Sequence, residues 1–462
     1  MEAIDRLRHT IAQHTQTSLT EFLPRVDWSR DHIETFQTEK LRQTLGFAVK
    51  HSNWHRERLA HLDLEGLALQ DLSSIPTMTK TDLMENFDNI VTDPHITRQR
   101  CENLVGNGDI VLDDSFVVIT TGGTSGIRAF NVVQPSWFAN VNAAVMRNVM
   151  RYIQRSGNIR MNGPPKTISI GSVPGPHGSY IAGSVLNSNA GAQLSVIDPI
   201  EKIVATLNRS DPDHIIVYAS YLPRLIEETI AGRLSIQPKI VSPVAEPSFV
   251  EHEAQARELW GCAIIGGWAA TEVGALGFGS GFEPGMLLCD DLSIIEAVDM
   301  NGLPVSTGTR CDKLYVTNLF TTVLPLIRYE IRDQITLSPE PAQCDSGFRH
   351  IESVSGRTDE SFVYGENIKV HPHLFRTTLA KQTAVIEYQV KQTERGAKVS
   401  IVPVADRAND INFEFIKNEL ENNLSNLGLN KPIIDIEMTN SIARTSTGNK
   451  LRRFLPLPKT IK

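Results

Sequence analysis

The spacing of apolar and polar positions divides the chain into a helical start, a long alternating middle and a short final section of different character. In residues 1–60, Ile33, Phe36, Leu41, Leu45 and Val49 recur at helical spacing and predict helices. Ile75-Pro76-Thr77-Met78-Thr79-Lys80-Thr81-Asp82-Leu83 predicts a surface turn and a helix start, with Thr79 as N-cap and Asp82 at the acid position of a capping box. From residue 116 onward, short apolar runs alternate with amphipathic segments. Phe116–Ile119 predicts a buried strand, and 137–153 a helix burying Val141, Ala144, Val145, Val149 and Ile153. Thr167–Ile170 predicts another strand, with further strand ends at Ile197-Asp198 and Ile215–Tyr218, each followed by helical patterning. This β–loop–α alternation predicts a layered α/β core. Residues 240–247 (IVSPVAEP) add a strand and a tight loop, and 293–337 a β-rich segment with a hairpin turn at Met300-Asn301-Gly302. From about residue 359 the pattern changes. Strands at Phe362–Tyr364, Val385–Lys391, Lys398–Val404 and Ile433–Met438 alternate with helices near 372–381 and 412–427, which predicts a separate α+β domain of about 100 residues.

Bulk properties narrow the class. At 462 residues, 41% hydrophobic and 21% charged, the chain reads as a soluble globular protein of two or three domains. A net charge of −8 disfavours a nucleic-acid or anionic-membrane partner. The five cysteines are scattered and contain no Cys-x-x-Cys pair, so reduced cytosolic thiols are the expectation. No signal peptide and no run of 18 apolar residues is apparent, and a cytoplasmic, membrane-free protein is expected.

Candidate chemistry gathers at strand ends. Thr120-Thr121-Gly122-Gly123-Thr124-Ser125-Gly126 holds three glycines and four hydroxyls in seven residues, with Arg128 just beyond. Glycines let backbone N–H groups approach a ligand, and together with hydroxyls they suit phosphate oxygens. It is not a P-loop NTPase signature, because no Gly-Lys-Ser/Thr follows. Gly171–Ser179 is a Gly/Pro loop carrying His177 after a strand, the place where open α/β sheets bind ligands. Gly266-Gly267-Trp268-Ala269-Ala270-Thr271-Glu272 follows another strand: Trp268 is either a core residue or a base-stacking face, and Glu272 either solvated or a metal carboxylate. Leu326–Asp333 sets charges inside an apolar run, which is costly unless they are paired or used. His371-Pro372-His373 reads as a proline-fixed helix entry rather than a metal pair, and Ser441–Arg453 as a polar loop with clustered cations.

Taken together, these pieces resemble the adenylate-forming superfamily of acyl- and aryl-CoA synthetases, amide synthetases and luciferases, and within it the phenylacetate–CoA ligase-like branch. Trp54–Arg58 with Ile75–Leu83, Thr121–Arg128, Ala245-Glu246-Pro247, Trp268–Glu272, Thr317-Asn318-Leu319 with Pro325–Tyr329 and Asp333, Gly356-Arg357-Thr358-Asp359 and Arg444–Lys450 resemble its motifs in order. There are departures: Ile127 stands at the loop lysine, Trp268 at the motif tyrosine and Arg332 at the glycine before the aspartate. The resemblance implies a large N-terminal layered α/β domain (1–357) hinged to a smaller, mobile α+β C-terminal domain (358–462). It implies ATP-dependent activation of a carboxylic acid as acyl-adenylate, followed by transfer to CoA. Transfer to an amine is the alternative acceptor chemistry, and an inactive adenylate-binding protein, suggested by the altered phosphate loop, the less favoured one. The implied roles place Thr121, Gly122, Gly123, Thr124, Ser125 and Gly126 on the phosphates, Glu272 on Mg²⁺ beside Thr271, and Lys450 at the reacting carboxylate. Ala245, Glu246, Pro247 and Trp268 would lie at adenine, Asp333 and Arg357 at ribose, and Asp359 at the hinge. The acid pocket would lie between His177, Gly178, Ser220, Tyr221, Gly266 and Gly267. Oligomerisation is left open.

Overall fold

The computed structural model describes residues 3–120, 129–157, 165–172, 193–365, 368–445 and 449–458. The expected layered α/β architecture is present, with a smaller C-terminal α+β unit. Its centre is a five-stranded parallel sheet ordered Gln193–Ser195, Thr167–Gly171, His214–Tyr218, Ile240–Val244, Ala263–Ile264. Helices Ile200–Ser210, Leu222–Ile230 and Val250–Trp260 follow successive strands and share their core, including Ile168, Ile170, Leu207, Ile215, Val217, Leu222 and Ala256. These strands are buried and rich in Ile and Val, as parallel strands covered by helices require. Ile197 is 61% exposed in a turn, so the strand expected there ends at Ser195.

An antiparallel sheet carries the second half of the large unit, ordered Asp333–Leu337, His350–Arg357, Met286–Leu288, Gly274–Phe278, Gly267–Ala270. In its register Asp333 stands opposite Arg357. A third sheet pairs Lys313–Asn318 with Ser293–Val298 on one side and Tyr329–Ile331 on the other. The expected turn at Met300-Asn301-Gly302 forms, with Gly302 N–H donating to Asp299 O and φ +83° at the glycine, which favours a residue without Cβ.

The helix Pro135–Ser156 begins two residues before the expected segment and carries a polar load its pattern did not suggest. Ala144 and Val149 are buried as expected, but so are Arg147 and Arg151, while Val141, Val145 and Ile153 are partly covered. Arg147 binds Asp291 at 2.6 Å, and Asp291 also takes Arg25 at 3.3 Å. The neighbouring Asp290 is shared by Arg349 at 2.7 Å and Arg30 at 2.8 Å. Both aspartates are fully buried, and these pairs fasten the 3₁₀ turn Leu23–Asp27, between the N-terminal helices Ala3–Phe22 and Arg30–His51, and the start of the second helix to the rest of the large unit. Removing one partner of such a buried pair strands the other charge, which is why the group acts as a single fastening.

The C-terminal unit is a four-stranded sheet, Ile433–Met438, Gly396–Pro403, Val385–Thr393, Phe454–Leu455, with helices His373–Leu379 and Phe413–Asn426 on it. Phe375, Val390, Val399, Ile401, Leu420 and Leu424 form its core. The last strand, which lies beyond the expected polar loop, pairs in parallel with Val385–Thr393. Pro372 caps the helix after His371 as expected, and His371 Nε2 meets Gln334 Oε1 of the large unit at 2.8 Å. The five cysteines are buried free thiols.

Two buried histidines make stability depend on pH. His55 Nε2 donates to Pro325 O at 3.0 Å while Nδ1 faces Arg58, and His214 lies against Ser242 Oγ at 2.9 Å. Burial pushes His55 down to about 3 and His214 to about 4. The unfolded chain takes up protons below pH ~6.5 while the fold does not, so stability is present above that pH and lost as it falls towards about 4. Each histidine should withdraw up to about 1.4 kcal/mol per pH unit in that window. Urea unfolding at pH 7 and pH 5 checks this, and His214→Gln should flatten the dependence.

Candidate active site

The carboxyl edge of the parallel sheet supplies the first groups. Ser220 follows the strand His214–Tyr218 and Glu246 follows Ile240–Val244, where open α/β sheets hold ligands. Glu246 Oε2 accepts from the Ser220 N–H at 2.9 Å, and Oε1 from the Leu451 N–H at 2.6 Å. The preceding Ala245 holds φ +69°, a strained value for a residue with Cβ that aims the Glu246 turn. The acid expected beside adenine therefore also reaches the loop that carries Lys450.

Glu272 is positioned from three sides. Asn131, on the strand Phe130–Val133, donates through Nδ2 to the carbonyls of Thr271 at 2.8 Å and Glu272 at 3.0 Å. Asn318 Nδ2 donates to Val273 O at 2.9 Å, while its Oδ1 accepts from the N–H groups of Phe320 and Thr321. Tyr329 Oη donates to Glu272 Oε1 at 3.5 Å, a long bond that leaves the carboxylate oxygens available. Burial and Glu272 together push the Tyr329 hydroxyl well above its usual range, so it stays a donor.

The charges in the apolar run 326–333 have separate fates. Arg328 takes φ +48° and grips Glu296 through two bonds of 2.9 and 3.0 Å, while Glu330 pairs with Lys313 at 2.9 Å. Arg328 also donates to Ile75 O at 2.6 Å, and Met78 exchanges backbone bonds with Arg328 O and the Glu330 N–H. These contacts staple the Ile75–Lys80 turn to the strand Tyr329–Ile331. The result was not legible in the turn itself: Lys80, at the first position of the helix Lys80–Glu85, is brought into the field of Glu272 and Asp359. Burial lowers its ammonium pKa, and Glu272 opposes that shift.

Asp333 is held on both oxygens. Arg357 Nη1 donates to Oδ1 at 3.0 Å, and Trp268 Nε1 donates to Oδ2 at 2.8 Å. Trp268 is 7% exposed, so its ring serves the core and its N–H serves the site, with little ring face left for a base. Arg357 also binds Asp359, at 3.0 and 3.4 Å. Burial disfavours the Arg357 charge, but Asp333 and Asp359 outweigh it and hold the guanidinium above its usual range.

Lys450 comes from the small unit. Its loop is closed by reciprocal bonds, Thr445 N–H to Lys450 O at 2.9 Å and Lys450 N–H to Thr445 Oγ1 at 3.0 Å, with Asn449 at φ +49°. Burial lowers the pKa of its ammonium, and Glu246, Asp333 and Glu272 pull it back up, so it lies within the field of all three carboxylates.

Five of the expected groups thus meet: Glu246, Glu272, Asp333, Arg357 and Lys450. Pro247 is exposed beside Glu246. Tyr221 is 2% exposed and packs in the parallel-sheet core, and the fully buried Ser220 accepts from Arg444 through its hydroxyl at 3.0 Å. A Cβ on Gly267 would lie a tight 3.1 Å from the Phe278 ring, whereas one on Gly266 would be in ordinary contact, 3.4 Å from Pro243 O. Thr121, Gly122, Gly123, Thr124, Ser125, Gly126 and Arg128 lie outside the described residues, as do His177 and Gly178. Among the described residues, no three His, Cys, Asp or Glu side chains are grouped to hold a metal, and no helix is long and apolar enough to cross a membrane.

No protein-family model matches the chain. It is 23% identical over 397 residues to the phenylacetate–coenzyme A ligase of Escherichia coli (strain K12), covering 80% of this chain and 81% of that one. Over most of its length the chain is therefore similar to a phenylacetate–CoA ligase, as the order of its motifs leads one to expect. Solved structures share its fold. A 2-hydroxyisobutyryl-CoA ligase in its post-adenylation state superposes with a TM-score of 0.73 at 18% identity, covering 94% of this chain and 91% of that one. The same ligase, bound to an acyl-AMP and CoA in its thioesterification state, gives 0.60 at the same identity and coverage. The fold of this chain thus superposes better on the first arrangement than on the second.

Proposed function

We propose that this chain is an AMP-forming acid–CoA ligase, activating a carboxylic acid with ATP as acyl-adenylate and then passing the acyl group to CoA. The observation that carries the reading is the convergence of Lys450, from the small unit, on Glu246, Asp333 and Glu272 of the large one. A carboxylate is a poor electrophile. Its attack on the α-phosphorus of ATP releases pyrophosphate, and such transfers ask for positioning and charge neutralisation. Lys450 meets the charge that concentrates between the attacking carboxylate and the α-phosphate. Asp333, held by Trp268 and Arg357, presents its remaining lone pairs to the ribose hydroxyls. The Thr121–Gly126 loop cradles the outer phosphates, and Lys80 supplies a cation on the Glu272 side. Glu272, a hard oxygen donor with free coordinating capacity, is the carboxylate offered to Mg²⁺, which would take its other ligands from phosphates and water. When bound, that ion spreads the charge of the leaving pyrophosphate. We place the domain boundary at 357/358 and the hinge at Asp359.

Pyrophosphate release with a panel of acids, followed by product analysis with CoA and with amines, tests the reading. A thioester supports it, an amide moves the acceptor to an amine, and no pyrophosphate with any acid leaves an adenylate-binding protein. Glu272→Gln should raise the Mg²⁺ concentration for half-maximal adenylation by roughly tenfold or more, with the fold intact by circular dichroism. An unchanged Mg²⁺ titration would make Glu272 a structural residue.

A further inference from the structure

The small unit is seated on the large one by a buried polar clasp centred on Glu387. This residue lies on the strand Val385–Thr393, and its side chain is 1% exposed. Its Oε1 takes two arginines: Arg224 Nε of the large-unit helix Leu222–Ile230 at 3.0 Å, and Arg444 Nη2, at the stem of the Lys450 loop, at 2.8 Å. The other arm of Arg444 donates to Ser220 Oγ at 3.0 Å, and the Ser220 N–H donates to Glu246. Glu246 in turn accepts from the Leu451 N–H. The path therefore leaves the large unit at Arg224, crosses the small one through Glu387 and Arg444, returns at Ser220, and ends beside Lys450. Two carboxylates and two guanidiniums balance in charge, so the set tolerates burial while complete.

The interface next to the clasp is not filled. A cavity of about 70 Å³ lies between Pro223, Ile226 and Phe249 of the large unit and Ile386, Tyr388 and Arg453 of the small one. Beside it, Arg453 Nε and Tyr388 Oη are buried without a hydrogen-bond partner. Phe249 stacks on Tyr388 across the seam, but the packing beside it is incomplete, so directional charged bonds share in setting the register of the two units.

We propose that Glu387 and Arg224 are positioning residues for adenylation, acting through Arg444, Glu246 and Leu451 to seat Lys450. This rests on the function proposed above. Turning the small unit must break Arg224–Glu387, Arg444–Ser220 and Leu451–Glu246 together, whereas Arg444–Glu387 lies within one unit and survives. The clasp thus biases a two-state equilibrium towards the adenylating arrangement.

Arg224→Met is the first test, because Arg224 is partly exposed and its loss leaves the pair inside the small unit intact; Glu387→Gln is the second. Arg224→Met should lower kcat for adenylation roughly ten- to a hundredfold, the scale of one charge-assisted hydrogen bond. KM for ATP, the melting temperature and thioester formation from supplied acyl-adenylate should stay near wild type, and Arg224→Lys should restore part of the loss. Small-angle scattering of the unliganded protein should show a larger radius of gyration for Arg224→Met. Unchanged adenylation and scattering would overturn the proposal, as would equal loss in both half-reactions with a lowered melting temperature. If the wild-type protein adenylates no acid, the proposed function fails by itself, and the scattering comparison still decides whether the clasp holds the units together.

Discussion

Lys450→Ala should lower the rate of acyl-adenylate formation by roughly 10²–10³, the scale of losing one preorganised donor to developing charge. The expectation follows from how the ammonium is held. Thr445 and Lys450 close their loop on themselves, Leu451 is fixed to Glu246, and the ammonium lies in the field of Glu246, Asp333 and Glu272. Truncation removes the cation and leaves that framework in place, so the small unit should still dock and fold. On the function proposed above, the second half-reaction does not need this lysine at the phosphate. Supplied acyl-adenylate should therefore be converted to thioester at close to the wild-type rate. Pyrophosphate exchange and thioester formation, measured separately on the same preparation, check both parts. Equal loss in the two would return Lys450 to a binding or folding role.

Asp359→Pro should leave adenylation largely intact and abolish transfer to the acceptor. Asp359 lies in the 3₁₀ turn Thr358–Glu360, directly after the strand His350–Arg357. Proline fixes φ near −65°, within the range of such a turn, so the substitution is compatible with the arrangement described here. It resists any state in which residue 359 must change φ, and alternation between half-reactions needs a few residues to do that. The ring also crowds Thr358, so a modest loss of adenylation is expected. Asp359→Asn is the control, since it weakens the bonds to Arg357 without fixing φ, and it should retain both half-reactions in reduced measure. Should Asp359→Pro slow the two half-reactions alike, the hinge assignment would be withdrawn.

Much of the fold could be read from periodicity. The strands Phe362–Tyr364 and Ile433–Met438 have the predicted bounds, and the parallel strands ending at Gly171 and Tyr218 lie where apolar runs meet turn residues. Those signals are local, and local signals survive in one dimension. The candidate site could be proposed from residues whose chemistry stands out in one dimension: a glutamate after a glycine pair, an aspartate after an apolar run, a lysine in a polar loop. What was missed depends on partners far away. Lys80 looked like a surface helix start because the strand that carries it inward lies about 250 residues later. Asn131 has no motif of its own, and its role appears when its amide is seen under Thr271 and Glu272. Glu387 sits in an ordinary strand pattern, and the two arginines it binds come from positions 224 and 444. Arg453, which reads as a solvated cation, is 6% exposed over the ring of Phe249 because the chain beyond it returns as a strand.

The buried pairing of Arg25 and Arg30 with Asp291 and Asp290 also sets an order on synthesis. The N-terminal helices emerge from the ribosome first, but their arginines meet no buried acid until residue 291 has been made, and Asp290 is not closed off until Arg349 follows. At roughly 5–20 residues per second, that interval is tens of seconds. During it the amphipathic start of the chain has apolar faces and no core to cover them. Folding during synthesis should therefore close the large unit late, shortly before the small one begins to appear.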